Sequence, residues 1–202
     1  MNKTQGENMF TVAIDFDGVL NNLPEVWCKY LNDMYYTNQK SEQVDVPRNY
    51  NMSLNFPKLS HEGINWPLHR DEFWEKVGYK DSASKKLIDV LRFEFPFINV
   101  IIVTATDPEH WTSKYEHCFK RLFPGFPKKN IILTSRKDLI KCNVLVDDNP
   151  EYLRASSAYK ILMSAPYNVD NTVDVDSVCS NCEAVLNTIL QLRLGKSYTY
   201  SK

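Results

Sequence analysis

Short apolar runs alternate with amphipathic stretches along most of this chain. Residues 10–14, 98–103, 130–133 and 143–146 are rich in Val, Ile and Phe, and residues 159–163 form a weaker fifth run. β-Branched and aromatic side chains suit a pleated surface, and runs without polar alternation suit strands buried on both faces. Between them, apolar residues recur at three- and four-residue steps, the spacing of a helix face. After Asp107-Pro108, a cap followed by a favoured first helical residue, one such row contains Trp111, Tyr115, Cys118, Phe119 and Leu122. Leu87, Ile88, Leu91 and Phe95 mark a second row, and Val178, Cys182, Val185, Leu186 and Ile189 a third. This alternation predicts an α/β protein, a three-layer Rossmann-like parallel sheet covered on both faces.

The spacing is uneven. Between Asp17 and Thr104 lie 86 residues, whereas a crossover between neighbouring parallel strands needs only a dozen or more. Val26, Tyr30 and Met34 on one row and Trp27, Leu31 and Tyr35 on the next predict a helix over 24–36. A polar, irregular middle follows over 37–60, then an aromatic cluster with Trp66, Phe73, Trp74 and Tyr79. Residues 20–80 therefore read as a small, mostly helical cap inserted after the first strand, and 1–19 with 81–202 as the core domain.

Polar residues gather where the predicted strands stop. Asp15 and Asp17 flank one phenylalanine in "AIDFDGV", Thr104 ends "NVIIVTAT", Lys137 follows "NIILTS", and Asp147 with Asp148 end "NVLVDDNP". Singly, each has an ordinary explanation: an Asp caps a turn, a Thr caps the next helix, a Lys is solvated. Four strand ends in register are different, because open parallel sheets bind ligands beyond their carboxyl ends. Clustered carboxylates repel unless a cation or a proton intervenes, and an all-oxygen set suits a hard cation, Mg2+ in particular. Lys137 and Thr104 add a positive charge and a donor suited to phosphoryl oxygens. One aspartate can then attack phosphorus while its neighbour moves the leaving group's proton.

Composition narrows the partners. Twenty-four Lys and Arg against 25 Asp and Glu give a formal charge of -1, so no basic surface for long nucleic acid is expected. No apolar run approaches bilayer length and the first nine residues lack a signal-peptide core, which predicts a soluble, cytoplasmic protein with no membrane partner. Five scattered cysteines fit reduced thiols, and Cys179-Ser-Asn-Cys182, an isolated pair within a helical pattern, reads as core. The four histidines show no metal spacing. Phe73 and Trp74, ahead of Trp66, are the cap rings best suited to stack on a base, although a small helical insert also needs such rings simply to cohere.

"DFDGV", "VTAT", Lys137 and "VLVDD" resemble the four motifs of the haloacid dehalogenase superfamily of phosphotransferases, in order. More narrowly, "AIDFDGVLNN", "TSRKDLIKCNVLVDDNPEYL" and "APYN" resemble the 5'(3')-deoxyribonucleotidase family. The resemblance implies a haloacid dehalogenase type of fold and a Mg2+-dependent phosphomonoesterase acting on deoxyribonucleoside monophosphates, dUMP or dTMP above all. It implies Asp15 as nucleophile and metal ligand, and Asp17 as proton shuttle that also offers its backbone carbonyl to the metal. Thr104 and Lys137 would hold the phosphoryl oxygens with the backbone N–H groups of Phe16 and Ala105. Asp147 would be a further metal ligand, and Asp148 would orient metal-bound waters or Lys137. Three departures bear on the identity of the nucleotide: Arg136 stands one position away from a base-contacting Arg, Asn149 replaces an Arg, and Ala105 replaces a Ser. A polynucleotide 3'-phosphatase, another small-molecule phosphatase and a nucleotide-binding sensor on the same fold are the competing readings, and the oligomeric state stays open, with a homodimer among the options.

Overall fold

The computed structural model describes residues 9–170, 172 and 174–195; the remaining polar N-terminal residues lie outside them. Six strands form one sheet: Phe10–Asp15 (β1), Ile98–Thr104 (β2), Ile131–Leu133 (β3), Val144–Asp147 (β4), Tyr159–Met163 (β5) and Ser177–Cys179 (β6). Their order is β3-β2-β1-β4-β5-β6, and every neighbouring pair is parallel. The chain runs outward from β1 to β2 and β3, then returns to β1's other edge as β4. The order thus reverses between β1 and β4, and there the connections on the two sides diverge and leave a crevice at the carboxyl ends.

Period-two alternation sorts the strand residues between two layers. Val12 and Ile14 join Val100, Ile102, Val144 and Val146 in the larger apolar cluster. Ala13 joins Val103, Leu145 and Leu162 on the other face. Each fully buried Val or Ile contributes about 1.5–3 kcal/mol, so the sheet registers that carry the strand ends together are strongly fixed.

The larger face is covered by Ser84–Asp89 (α5, which continues as a π-helical turn, Val90–Glu94), by Pro108–Lys114 with the π-helical turn Tyr115–Phe119, and by Cys182–Leu194. In the predicted third helical row, Val178 belongs to β6 instead. Backbone pairing with β5 and the Asn181 side chain, which accepts from Ala184 N at 2.8 Å, start the helix only at Cys182. A three-residue edge strand is too short to show alternation in sequence. Cys179 and Cys182 therefore straddle a strand end and a helix start, both buried and free.

Between β1 and β2 lie Leu23–Tyr35 (α1), Met52–Asn55 (α2), His61–Asn65 (α3) and Asp71–Trp74 (α4). Cys28, Leu31, Tyr36, Met52, Phe56 and Ile64 form a small core of their own, whereas Phe73, Trp74 and Val77 pack into the main cluster. A polar seam joins α4 to the helix Pro108–Lys114 (α6) and the turn beyond it. Asp71 meets Ser113, and His117 lies 3.3 Å from Asp71 and 3.2 Å from Glu75.

Candidate active site

β1 ends on Asp15, only 3% exposed, and the backbone then turns sharply. Leu20 and Asn21 both donate their N–H to the Phe16 carbonyl, at 3.0 and 3.1 Å. Gly18 takes a positive φ of 74°, a conformation open to glycine at little cost. A Cβ there would also fall 2.1 Å from Asp148 Oδ2, so the turn's close approach to β4 depends on this glycine. Asn21, fully buried, fixes the turn: Oδ1 accepts from Leu23 N at 2.9 Å, and Nδ2 donates to Asp17 Oδ1 at 3.0 Å.

Asp15, Asp147 and Asp148 each bring a carboxylate oxygen to within 4.8 Å of the others. Lys137, in a 3-10 turn after β3 and 1% exposed, bridges two of them, with Nζ 2.9 Å from Asp15 Oδ1 and 2.5 Å from Asp147 Oδ2. Apart from that ion pair, Asp15 Oδ1 has no hydrogen-bond partner, and Asp148 Oδ1 is likewise buried without one. Asp147 Oδ1 accepts from Asn149 N at 2.9 Å. Asp148 is held by the Tyr167 hydroxyl on Oδ2 and by Asn168 Nδ2 on its carbonyl, at 2.7 Å.

Burial pushes the Asp15 carboxyl up to about 7; Lys137 opposes this, and Asp147 and Asp17 reinforce it. Asp148 rises well above the carboxylate range through burial, then through Asp15 and Asp147. Asp147 rises through burial, against the pull of Lys137. Burial works against the Lys137 ammonium, but Asp15 and Asp147 outweigh it and raise its pKa. Raised carboxyls beside a buried cation make the crevice the candidate functional site.

Asp17 faces away from this trio. Its Oδ2 meets the ammonium of Lys114, which also donates to Thr104 Oγ1 at 2.8 Å, and Thr104 Oγ1 lies 3.4 Å from Asp17 Oδ2. Lys114 is 1% exposed. Above these groups opens a cavity of about 690 Å³, floored by Asp17, Lys114, Ala105 and Asp148 and walled by Trp27, Tyr50, Trp66 and Trp74. His69 and His110 also line it, with their Nε2 atoms 3.1 Å apart, and burial together with His69 holds the His110 imidazole below its usual range.

The structure thus brings Asp15, Asp17, Thr104, Lys137, Asp147 and Asp148 to one crevice. Ala105 lies on the cavity wall; the Phe16 ring points into the core, 4.9 Å from Phe119. Of the two cap rings singled out, Trp74 lines the cavity, while Phe73 is fully buried behind it, edge-on to Tyr30. Arg136 pairs with Asp138 at the surface, and Asn149 caps the helix Pro150–Arg154 through Glu151 N. Lys114 escaped the sequence reading, and Asn21, Tyr167 and Asn168 entered it only inside the stretches "AIDFDGVLNN" and "APYN", with no role given. Lys114 stands three residues after Trp111 and four before Cys118, on the buried helical row.

Several known proteins are similar to this chain. Its residues 8–193 match the model of the family described as 5' nucleotidase, deoxy (pyrimidine), cytosolic type C. The 5'(3')-deoxyribonucleotidase of Clostridium acetobutylicum is 28% identical over 161 residues, 80% of this chain and 85% of that protein. The enzyme of the same name from Bacillus subtilis is 24% identical over 159 residues, 78% and 86% of the two. A haloacid dehalogenase family hydrolase from Deinococcus radiodurans, solved with bound phosphate and sodium, superposes with a TM-score of 0.56 at 13% identity over 93% of this chain and 98% of its own. At that identity the superposition speaks for the fold, which is the haloacid dehalogenase type. No helix among the described residues is long and apolar enough to cross a membrane. The motif set, its convergence at one crevice and the match over nearly the whole chain agree: this chain belongs to the cytosolic type C 5'-nucleotidase family, phosphoric monoester hydrolases of the haloacid dehalogenase superfamily.

Proposed function

We propose that the chain hydrolyses deoxyribonucleoside monophosphates, pyrimidine ones such as dUMP and dTMP first, with Mg2+ and through an aspartyl-phosphate. The observation that supports this best is the gathering of Asp15, Asp147 and Asp148 beside Lys137, next to an aromatic-walled cavity that Asp148 and Asp17 line. The trio fits a hard divalent cation: all its donors are carboxylate oxygens, and two of them are buried without hydrogen bonds. Asp15, Asp147 and Asp148 would hold the ion, with the Asp17 carbonyl as a further ligand. When bound, it offsets the carboxylate repulsion and withdraws charge from the phosphoryl oxygens.

The chain's own groups do the rest. Asp15 attacks phosphorus, while Lys137, Thr104 and the backbone N–H groups of Phe16 and Ala105 hold the phosphoryl oxygens. Asp17 gives a proton to the departing nucleoside oxygen and later takes one from the water that hydrolyses the acyl phosphate. Residues 20–80 serve as a cap on the catalytic domain of 1–19 and 81–202, and the rings of Trp66 and Trp74 hold the base. The deoxyribonucleotide part rests on similarity to the family and its named relatives, the pyrimidine part on the family description alone.

Phosphate release from a panel of deoxy- and ribonucleoside monophosphates, sugar phosphates and a 3'-phosphorylated oligonucleotide tests the proposal. Preference for dUMP and dTMP is the expected result. Activity confined to sugar phosphates, or to the oligonucleotide, would overturn it.

A further inference from the structure

Two buried lysines divide the carboxylates of this site. Lys137 takes Asp15 and Asp147, on the side of nucleophilic attack, and Lys114 takes Asp17 and Thr104, on the side that opens to the cavity. We propose that Lys114 is a positioning residue for Asp17 that serves the departure of the nucleoside, a role separate from the phosphoryl-holding role of Lys137. The inference rests on the reading that Asp15 attacks phosphorus and Asp17 is the acid.

Packing alone does not call for a cation at this position. Lys114 occupies the buried row of α6, where a Leu or Met would fill the same space, and an ammonium taken out of water costs several kcal/mol unless it is well paired. Here it is paired with an acid and a hydroxyl. Asp17 and Thr104 accept from Nζ, and the faces of Phe16 and Trp74 lie 5.5 and 5.7 Å away. The helix changes to a π-helical turn at the next residue, Tyr115, a distortion that commonly accompanies functional side chains. Asn21 Nδ2 holds the other Asp17 oxygen at 3.0 Å, so Lys114 and Asn21 together fix the plane of the carboxyl group.

The chemistry gives this arrangement a purpose. As an Asp15 oxygen bonds to phosphorus, the bond from phosphorus to the nucleoside oxygen breaks and its electron pair stays on that oxygen. The Asp17 proton passes to the same oxygen, which leaves a carboxylate facing the Lys114 ammonium. A fixed cation at the place where that charge develops favours the transfer, and needs no reorganisation to do so.

A leaving-group comparison separates this role from a structural one. The full chain and its Lys114→Met, Lys114→Gln, Asp17→Asn and Asp15→Asn variants are assayed on dTMP, whose alcohol departs only with a proton, and on p-nitrophenyl phosphate, whose anion departs without one. kcat/KM is the readout because it covers the steps up to loss of the leaving group. Lys114→Met should lose about 100-fold or more on dTMP, the range of general acid catalysis, and less than about tenfold on p-nitrophenyl phosphate. The double variant with Asp17→Asn should be little worse than Asp17→Asn alone. Inorganic phosphate binding, followed by calorimetry, should weaken less than tenfold in Lys114→Met. Equal losses on both substrates, in both Lys114 variants, would overturn the inference, as would unchanged rates. A different pattern would strike the underlying reading instead: turnover retained in Asp15→Asn, or no leaving-group selectivity in Asp17→Asn.

Discussion

Replacing Asp15 by Asn should stabilise the metal-free chain while ending its chemistry. The buried carboxyl rises from 3.8 to about 7, and at about 1.4 kcal/mol per unit this is roughly 4 kcal/mol of folding free energy lost above neutral pH. Between those two values the folded chain holds a proton that the unfolded chain has released, so stability falls as pH rises through the window. Asparagine carries no charge to desolvate, and Lys137 keeps Asp147 as its partner. Its amide is imperfectly satisfied in a pocket built for an acid, at a cost of about 1–3 kcal/mol. The net expectation is a gain of about 1–3 kcal/mol at pH 8. The gap between variant and native chain should shrink by roughly 2–3 kcal/mol at pH 5, where most of the native Asp15 is protonated. Urea denaturation in a chelator at both pH values measures this, and turnover in Mg2+ should fall by about 10⁴-fold or more in the same variant. A stability difference independent of pH would refute the electrostatic account, and near-normal turnover would remove Asp15 from the nucleophile's role.

Gly18→Ala should cost about 2–4 kcal/mol in thermal denaturation, because it combines a positive φ with a collision on Asp148; a neutral result would mean that the turn can retreat. Asn168→Ala strips hydrogen bonds from the carbonyls of Asp148 and Met163. It should destabilise by about 2–4 kcal/mol and raise the Mg2+ concentration for half-activity about tenfold or more. Trp66→Ala removes a ring from the cavity wall and should raise KM for dTMP about tenfold while leaving inhibition by inorganic phosphate unchanged.

The sheet and its strand ends were legible because their causes are local. A Val- and Ile-rich run that stops on Asp is both a strand and its end, and parallel order places such ends together. Four motif positions therefore fell in one crevice without any knowledge of the contacts. The cap was harder to read. Phe73 and Trp74 are adjacent and equally aromatic, yet α4 turns one toward Tyr30 and the other toward the cavity; that difference is set by how α4 docks on α6. Lys114, Tyr167 and Asn168 act through partners 97, 19 and 20 residues away, distances at which periodicity assigns no role, even where "APYN" itself is a recognisable stretch.

The charge balance of the crevice leads to a last prediction. Four carboxylates against two ammoniums leave two formal negative charges in a buried space, and a phosphate monoester brings up to two more. Protonation relieves part of this, as burial raises both Asp15 and Asp148, but a protonated Asp15 is a far weaker nucleophile toward phosphorus than its carboxylate. A divalent cation held by Asp15, Asp147 and Asp148 would relieve the repulsion and keep the proposed nucleophile ionised. With Mg2+ saturating, the acid limb of kcat/KM for dTMP should therefore lie well below 7, and it should move upward as Mg2+ is titrated down. An acid limb that stays near 7 at every Mg2+ concentration would place the ion elsewhere than on Asp15.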